Sequence, residues 1–326
     1  MSANEFELIN NYFKTIPIHR RDVHVGIGDD AAVTSVPPGS KLVTTVDTLV
    51  SGIHFDDKVS PEDLAHKAVA VNLSDLAAMG AEPAWITLSL TIPEINHDWL
   101  TAFSQAIQKQ CRYFDVQLIG GDTCRGRISV TIQAMGLVPD ELAIKRNSAQ
   151  PGDLIYVTGT LGDAGAGLKL NQSDLTEFSA SEAFLLERLH KPTPRMEAGI
   201  NLRQFASAAI DISDGLVQDL QHILDASQVG AHINMKKIPL SEQNLAVFGE
   251  KQAQSFALTA GDDYELCFTV NPDLREKLER AFVTANTAIT QIGHITASKG
   301  LQVKNEDQLV EFENRGYDHF RSTLKI

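Results

Sequence analysis

Apolar and polar positions switch between two periods along the chain, and the switches mark its elements. Residues 41–50 (KLVTTVDTLV) are rich in β-branched side chains and predict a strand. Ser60-Pro61-Glu62-Asp63 then reads as a helix start, with a hydroxyl N-cap, proline at the first helical position and two acids in the first turn. That helix is predicted to reach Met79 and stop at Gly80. Its later turns, AVNLSDLAAMG, are apolar almost all round, which requires burial on several sides, yet Asp75 stands among them. Residues 84–92 predict a strand. A helix from about residue 98 carries Leu100, Phe103, Ile107, Cys111 and Phe114 as one stripe. Residues 116–119 lead into the turn-like Gly120-Gly121-Asp122-Thr123, and 128–138 predict another strand.

The polar stretch 148–153 (SAQPGD) predicts a boundary, dividing the chain into domains 1–148 and 149–326. The second half opens with a strand at 154–158 and a Gly/Ala-rich turn into a helix. A helical region at 181–189 is broken by Lys191-Pro192-Thr193-Pro194. Strand 208–212, helix 216–226 and strand 231–235 follow, and 256–270 read as two strands around an acidic turn. The pattern is that of a two-domain α+β protein, without solenoid repeats or low-complexity segments.

Charge narrows the function. Lys and Arg number 28 against 42 Asp and Glu, a formal net charge of −14, which argues against duplex nucleic acid as a main partner. Three separated cysteines, Cys111, Cys124 and Cys267, offer neither a disulfide framework nor a zinc-finger spacing. The first residues show no signal-peptide pattern, and the uncharged stretches fall short of the about 20 residues that span a membrane. A soluble cytoplasmic protein is expected.

Six acidic clusters share one setting, an apolar run meeting a turn or a buried helix. They are Gly28-Asp29-Asp30-Ala31-Ala32, Thr44-Thr45-Val46-Asp47-Thr48, Asn72-Leu73-Ser74-Asp75-Leu76, Gly120-Gly121-Asp122-Thr123, Asp211-Ile212-Ser213-Asp214-Gly215 and Gly261-Asp262-Asp263-Tyr264-Glu265. A carboxylate among apolar residues needs a partner. Windows 26–36, 42–53, 68–80 and 208–217 contain no Lys or Arg. If the carboxylates converge, a hard divalent cation shared with phosphates suits them, and the glycines let backbone amides approach phosphate oxygens. Asp beside Gly is also ordinary turn chemistry, so each cluster alone reads as a turn or a ligand. Ser213 reads equally as a helix N-cap. No GxxxxGK[ST], GxSxG, HExxH or protein-kinase motif set is present.

Taken in order, GIGDDAAV (26–33), TTVDTLVSGIHF (44–55), KAVAVNLSDLAAMGAEPAW (67–85), LIGGDTCRG (118–126), YVTGTLGDAGAGL (156–168), IDISDGLVQDL (210–220), AGDDYELCF (260–268) and GYDHF (316–320) resemble the thiamine-monophosphate kinase family, within the aminoimidazole ribonucleotide synthetase-like superfamily. The resemblance implies two α/β domains: an N-terminal sheet domain that pairs with its copy in a homodimer, and a C-terminal α/β domain. It implies ATP-dependent phosphorylation of thiamine monophosphate to thiamine diphosphate with several Mg²⁺ ions. By motif position, Asp30, Thr45, the carbonyl of Val46, Asp47, Asp75, Asp122, Asp211 and Asp214 would hold metal. Gly121, Asp122, Arg146 and Ser213 would bind ATP, and His54, Asp262 and Tyr317 the thiamine substrate. No catalytic side chain is implied, because the attacking phosphate oxygen is already ionised. Two positions depart from the family pattern: Asp262 stands where Glu is frequent, and Val46 where Thr is frequent. Selenophosphate synthetase, hydrogenase-maturation proteins and aminoimidazole ribonucleotide synthetase, whose resemblance is lacking at the substrate end, are rivals within the superfamily. The first is expected to carry a reactive Cys near its N-terminus and the second a C-terminal Cys tail; this chain has neither. A non-enzymatic cation or nucleotide sensor is the rival from another class.

Overall fold

In a computed structural model, residues 5–310 are described, apart from 284, 286 and 307. The chain divides into two compact units, the first built mainly from residues up to Glu141 and the second from Leu142 onward.

The first unit begins with a short helix α1 (Glu5–Leu8), a π turn (Ile9–Phe13) and a small antiparallel hairpin, β1 (Val23–Val25) with β2 (Val33–Thr34). Its sheet holds β3 (Ser40–Val50), β4 (Glu82–Ile92), β5 (Gln117–Arg125) and β6 (Ser129–Pro139) in the order β3-β6-β4-β5. Only β4 and β5 run parallel. Helix α2 (Pro61–Ala78) starts as the residue types require, with the Ser60 hydroxyl accepting from the Asp63 N–H at 3.1 Å. Such a cap contributes about 1 kcal/mol. Nearly every residue of its last three turns is buried, and Asp75 is the half-exposed exception. Helix α3 (His97–Tyr113) buries the predicted stripe from Leu100 to Cys111. On β3, Leu42 (47% exposed) and Val46 (59%) leave an apolar strip on the sheet's open face.

One element differs from expectation here. Gly120-Gly121-Asp122-Thr123 is not a turn but lies inside β5. Gly121 (φ +154°) makes this possible: a Cβ there would stand 1.8 Å from the Leu88 carbonyl oxygen. Close strand approach, not turn geometry, is what this glycine permits.

The second unit has a seven-stranded sheet ordered β13-β12-β9-β11-β7-β10-β8. Its strands are β7 (Leu154–Thr158), β8 (Ala206–Asp211), β9 (Gly230–Asn234), β10 (Leu266–Val270), β11 (Ile289–Thr296), β12 (Gly300–Asn305) and β13 (Gln308–Leu309). Only β12 with β9 is parallel. The helices are α4 (Asp163–Asn171), α5 (Ala180–His190), α6 (Met196–Leu202), α7 (Leu216–Ser227), α8 (Glu242–Thr259) and α9 (Arg275–Val283). Alternation along β7 sends Ile155 and Val157 into the core with Leu220 and Ile223 of α7 and Ala257 of α8. Tyr156 points to the other face, stacks on Phe268 and reaches Glu279 of α9 at 3.1 Å. The segment 256–270 is therefore not two strands. Residues 256–259 end helix α8, and only 266–270 form a strand. The short apolar run FALT carries no period long enough to separate helix from strand.

Among the described residues no helix is long and apolar enough to cross a membrane.

Candidate functional site

In the first unit, β3 and α2 bring three predicted residues together. Thr45 and Asp47 are two apart on β3 and so share one face. The Thr45 hydroxyl donates to Asp75 Oδ2. One turn before Asp75, Asn72 accepts the Asp47 backbone N–H on its Oδ1 (3.1 Å) and donates to the Ala68 carbonyl (3.0 Å). Buried Asn72 thus ties the strand to the helix, and Asp47 and Asp75 stand half-exposed beside it. Sequence reading placed Asn72 in the Asp75 cluster without giving it a role, although a polar residue three before Asp75 in an apolar helix is the signal that marks it. Nearby, the Val50 N–H donates to His54 Nδ1 at 2.9 Å, which leaves the neutral ring protonated on Nε2.

Asp30 is exposed, and Asp29 Oδ1 accepts the Asp30 N–H at 2.9 Å, so Asp29 shapes the turn and Asp30 projects from it. Val46 exposes its side chain on the open face.

Asp122 lies elsewhere in this unit. Asp47 is in register with Ile132, Ile132 with Leu88 and Leu88 with Gly121; Asp122 belongs to the next row, with Ser89, Thr131 and Thr48. Rows alternate between faces, so Asp122 leaves the sheet on the face opposite Thr45 and Asp47. Moreover β3 and β5 are the two edges of the sheet, separated by three interstrand steps or about 14 Å. Cys124 donates to Asp122 Oδ2 at 3.0 Å. Among the described residues no three His, Cys, Asp or Glu side chains converge closely enough to hold a metal ion between them.

In the second unit, β8 ends at buried Asp211, and the chain turns through half-exposed Ser213 and Asp214 into α7. Ser213 is not the N-cap; Gly215 holds that position, with no side-chain cap of its own. Instead, buried Asp219 accepts the N–H groups of Ser213, Asp214 and Gly215 on Oδ2, each at 3.0 Å. Burial pushes its carboxyl up to about 7, against the pull of those three donors, with the Asp214 charge adding to the rise. These amides are thereby engaged within the chain, and the expectation that this glycine-flanked loop offers them to phosphate is corrected. Gln218 donates to Asp214 Oδ2 at 3.2 Å.

The loop Gly261–Glu265 runs beside it. The Asp262 N–H donates to the Ser213 carbonyl (2.9 Å) and the Tyr264 N–H to that of Ile212 (2.8 Å). Three of the motif's acids divide between roles. Asp263 is buried and accepts from the Gly162 (2.6 Å) and Ala164 (3.3 Å) N–H groups at the start of α4. Burial holds its carboxyl well above the usual range. Glu265 is fully buried and accepts from Arg188 (2.8 Å), twice from Arg195 (2.6 and 2.5 Å) and from Thr158 (2.7 Å). Gly159 (φ +56°) makes room for it, since a Cβ there would lie 2.3 Å from Glu265 Oε1. Only Asp262 remains half-exposed, and the Tyr264 hydroxyl donates to its Oδ1 at 3.0 Å. Arg146 exposes its side chain, while its carbonyl accepts from Ser227 at 2.8 Å. Tyr317 lies outside the described residues.

The donor set of Thr45, Asp47 and Asp75 is all oxygen with two carboxylates, and the stretches around it, 42–53 and 68–80, carry no Lys or Arg. Such a set fits a hard divalent cation that takes its remaining ligands from phosphates and water.

Comparison with known proteins agrees along the whole chain. The family model described as AIR synthase related protein, N-terminal domain, matches residues 28–138, and the corresponding C-terminal domain matches 150–305. Thiamine-monophosphate kinase of Salmonella typhimurium is 47% identical over 322 residues, 98% of this chain and 99% of that protein. The crystal structure of thiamine-monophosphate kinase from Stenotrophomonas maltophilia superposes with a TM-score of 0.87 at 43% identity, covering 94% of this chain and 98% of the other. A structure of AaThiL complexed with AMPPCP and TMP gives a TM-score of 0.79 at 31% identity, covering 97% of each chain.

Proposed function

The chain belongs to the AIR synthase related family, and on that premise we propose that it is a thiamine-phosphate kinase, transferring the γ-phosphoryl group of ATP to thiamine monophosphate to form thiamine diphosphate. The observation that carries this reading is its likeness to thiamine-monophosphate kinases over 98% of its length at 47% identity. An ATP analogue together with TMP in AaThiL supports the pair of substrates. The reading is of a cytoplasmic enzyme in thiamine diphosphate biosynthesis. Residues 1–148 are its metal- and ATP-binding, dimerising domain and 149–326 its C-terminal α/β domain.

The transfer is direct and in line. A phosphate oxygen of the substrate forms the new P–O bond as the bond from the γ-phosphorus to the β,γ-bridging oxygen breaks, and ADP leaves. The attacking oxygen is ionised near neutral pH, so no protein base takes a proton. Mg²⁺, when bound, supplies the charge neutralisation that lets two anions approach. The chain's own task is to hold acceptor oxygens in place. Asn72 fixes β3 at Asp47, and Thr45 orients Asp75. The assigned ligand set is Asp30, Thr45, the Val46 carbonyl, Asp47, Asp75, Asp122, Asp211 and Asp214, with Gly121, Asp122, Arg146 and Ser213 toward ATP. His54, as an Nε2–H donor, Asp262 and Tyr317 are assigned to the thiamine substrate.

Opposite sheet edges and faces keep Asp122 apart from Asp47 and Asp75 in one chain. The assembly is assigned as a homodimer through the open face, the face from which Asp122 itself projects, while Asp47 and Asp75 stay on the covered face. The exposed strip of Leu42 and Val46 supports that face as the contact. Leu42→Lys is expected to shift the protein from dimer to monomer in light scattering after gel filtration, because a charge would be buried in the contact.

A coupled assay of thiamine diphosphate formation with ATP, thiamine monophosphate and a Mg²⁺ titration tests the activity. ATP binding without transfer would favour a nucleotide sensor or another superfamily enzyme. At the substrate end, Tyr264→Phe removes only the hydroxyl that holds Asp262 Oδ1. The expected result is a rise of about 3–10-fold in KM for thiamine monophosphate with kcat unchanged, the size of one lost hydrogen bond. An unchanged KM would detach Tyr264 from substrate positioning.

A further inference from the structure

We infer that Asp219 is a positioning residue for the nucleotide–metal loop, which its carboxylate turns inside out so that Ser213 and Asp214 face ligand with side chains and not with backbone amides. The inference rests on the kinase reading only for the identity of that ligand.

Successive N–H groups just ahead of a helix N-terminus ordinarily form a concave anion site. Here the three amides of Ser213, Asp214 and Gly215 converge at equal distance on one oxygen of Asp219, a residue 2% exposed in the first turn of α7. The site for an anion is thus filled from within. Carbonyls of the same loop are also engaged, since Ile212 and Ser213 accept from Tyr264 and Asp262, and the Ile212 N–H donates to the Glu265 carbonyl at 2.7 Å. The backbone of Ile212 and of Ser213 is therefore bonded through both its N–H and its carbonyl. Its polar side chains, Ser213 Oγ and the Asp214 carboxylate, are half-exposed. A loop presenting a hydroxyl and a carboxylate is suited to a cation carrying phosphate, whereas one presenting amides is suited to bare phosphate.

Gly215 bears this out sterically. Its φ is +114°, and a Cβ would come within 2.9 Å of the Thr259 carbonyl carbon. The turn that aims the third amide at Asp219 is thus one that other residues would strain or crowd.

Hydrogen exchange on the unmodified full-length protein tests the geometry. The amides of residues 213–215 are expected to exchange slowly without any ligand and to change little when Mg²⁺ and AMPPCP are added. Fast exchange that becomes slow only with nucleotide would mean that the amides serve phosphate, and the inference would fail. Asp219→Asn, which removes the charge but keeps the shape, tests the consequence. Calorimetry with Mg²⁺ and AMPPCP is expected to show affinity reduced by about 10–100-fold, with KM for ATP raised in step and KM for thiamine monophosphate within about twofold. Wild-type affinity in a folded variant would overturn the positioning role. Loss of fold would leave the exchange measurement to decide. If the wild type bound Mg²⁺·AMPPCP but made no thiamine diphosphate, the kinase reading would fall and the Asp219 measurements would still stand.

Discussion

Asp75→Asn and Asp122→Asn are each expected to abolish thiamine diphosphate formation while leaving the fold intact. Asp75 is half-exposed at the end of a buried helix and bonded by Thr45, so the amide replaces it without a cavity. The fold should survive, with Tm within roughly 3 °C. What is lost is one anionic oxygen, and turnover should fall at least about 100-fold at millimolar Mg²⁺. Asp122 sits on the far edge and far face of the same sheet. Turnover is read by the coupled assay across a Mg²⁺ titration, with the wild type as control. Near wild-type activity of Asp122→Asn at low Mg²⁺ would remove Asp122 from the ligand set. Near wild-type activity of Asp75→Asn at low Mg²⁺ would remove that residue from the ligand set.

Glu265→Gln is the substitution expected to cost most stability. Its carboxylate is fully buried and accepts four hydrogen bonds, three of them from Arg188 and Arg195, which are themselves largely buried. The amide leaves two guanidinium groups without their anion, and one of its two heads must turn a donor toward them. Breaking a buried pair in this way costs about 3–5 kcal/mol. For a chain of this size, that lowers Tm by roughly 4–7 °C, measured by calorimetry. Because Glu265 also carries the carbonyl that receives the Ile212 N–H, the loop of Ser213 and Asp214 should loosen with it. A Tm unchanged within error would show that solvent already screens the pair.

Sequence and structure agree best where the cause is local. The start of α2 follows from Ser60 and Pro61, and the α3 stripe from apolar spacing, because capping and helical period act within a few residues. The wholly apolar later turns of α2 foretold its burial, and Asp75 stood out against them. Where several local readings were physically equal, the chain alone did not choose. Asp263 and Glu265 look as much like ligands as Asp262 does, since all three are carboxylates in one turn. Their partners decide the matter: Glu265 is 70 residues from Arg195 and 77 from Arg188. Likewise Ser213 has the chemistry of an N-cap, but Asp219 satisfies the amides it would have needed.

By itself, the order of motifs along the chain determined the family, because eight short segments in sequence carry far more information than any one of them. Amino-acid type and period also determined most of the elements, these being short-range consequences of backbone sterics and apolar burial. Which carboxylates remain half-exposed, which are consumed by buried arginines or helix amides, and which edge of the sheet each one occupies were decided only by tertiary structure. The physical reason is that a charge takes its role from neighbours within a few ångströms, and strand register and sheet order bring those neighbours from tens of residues away.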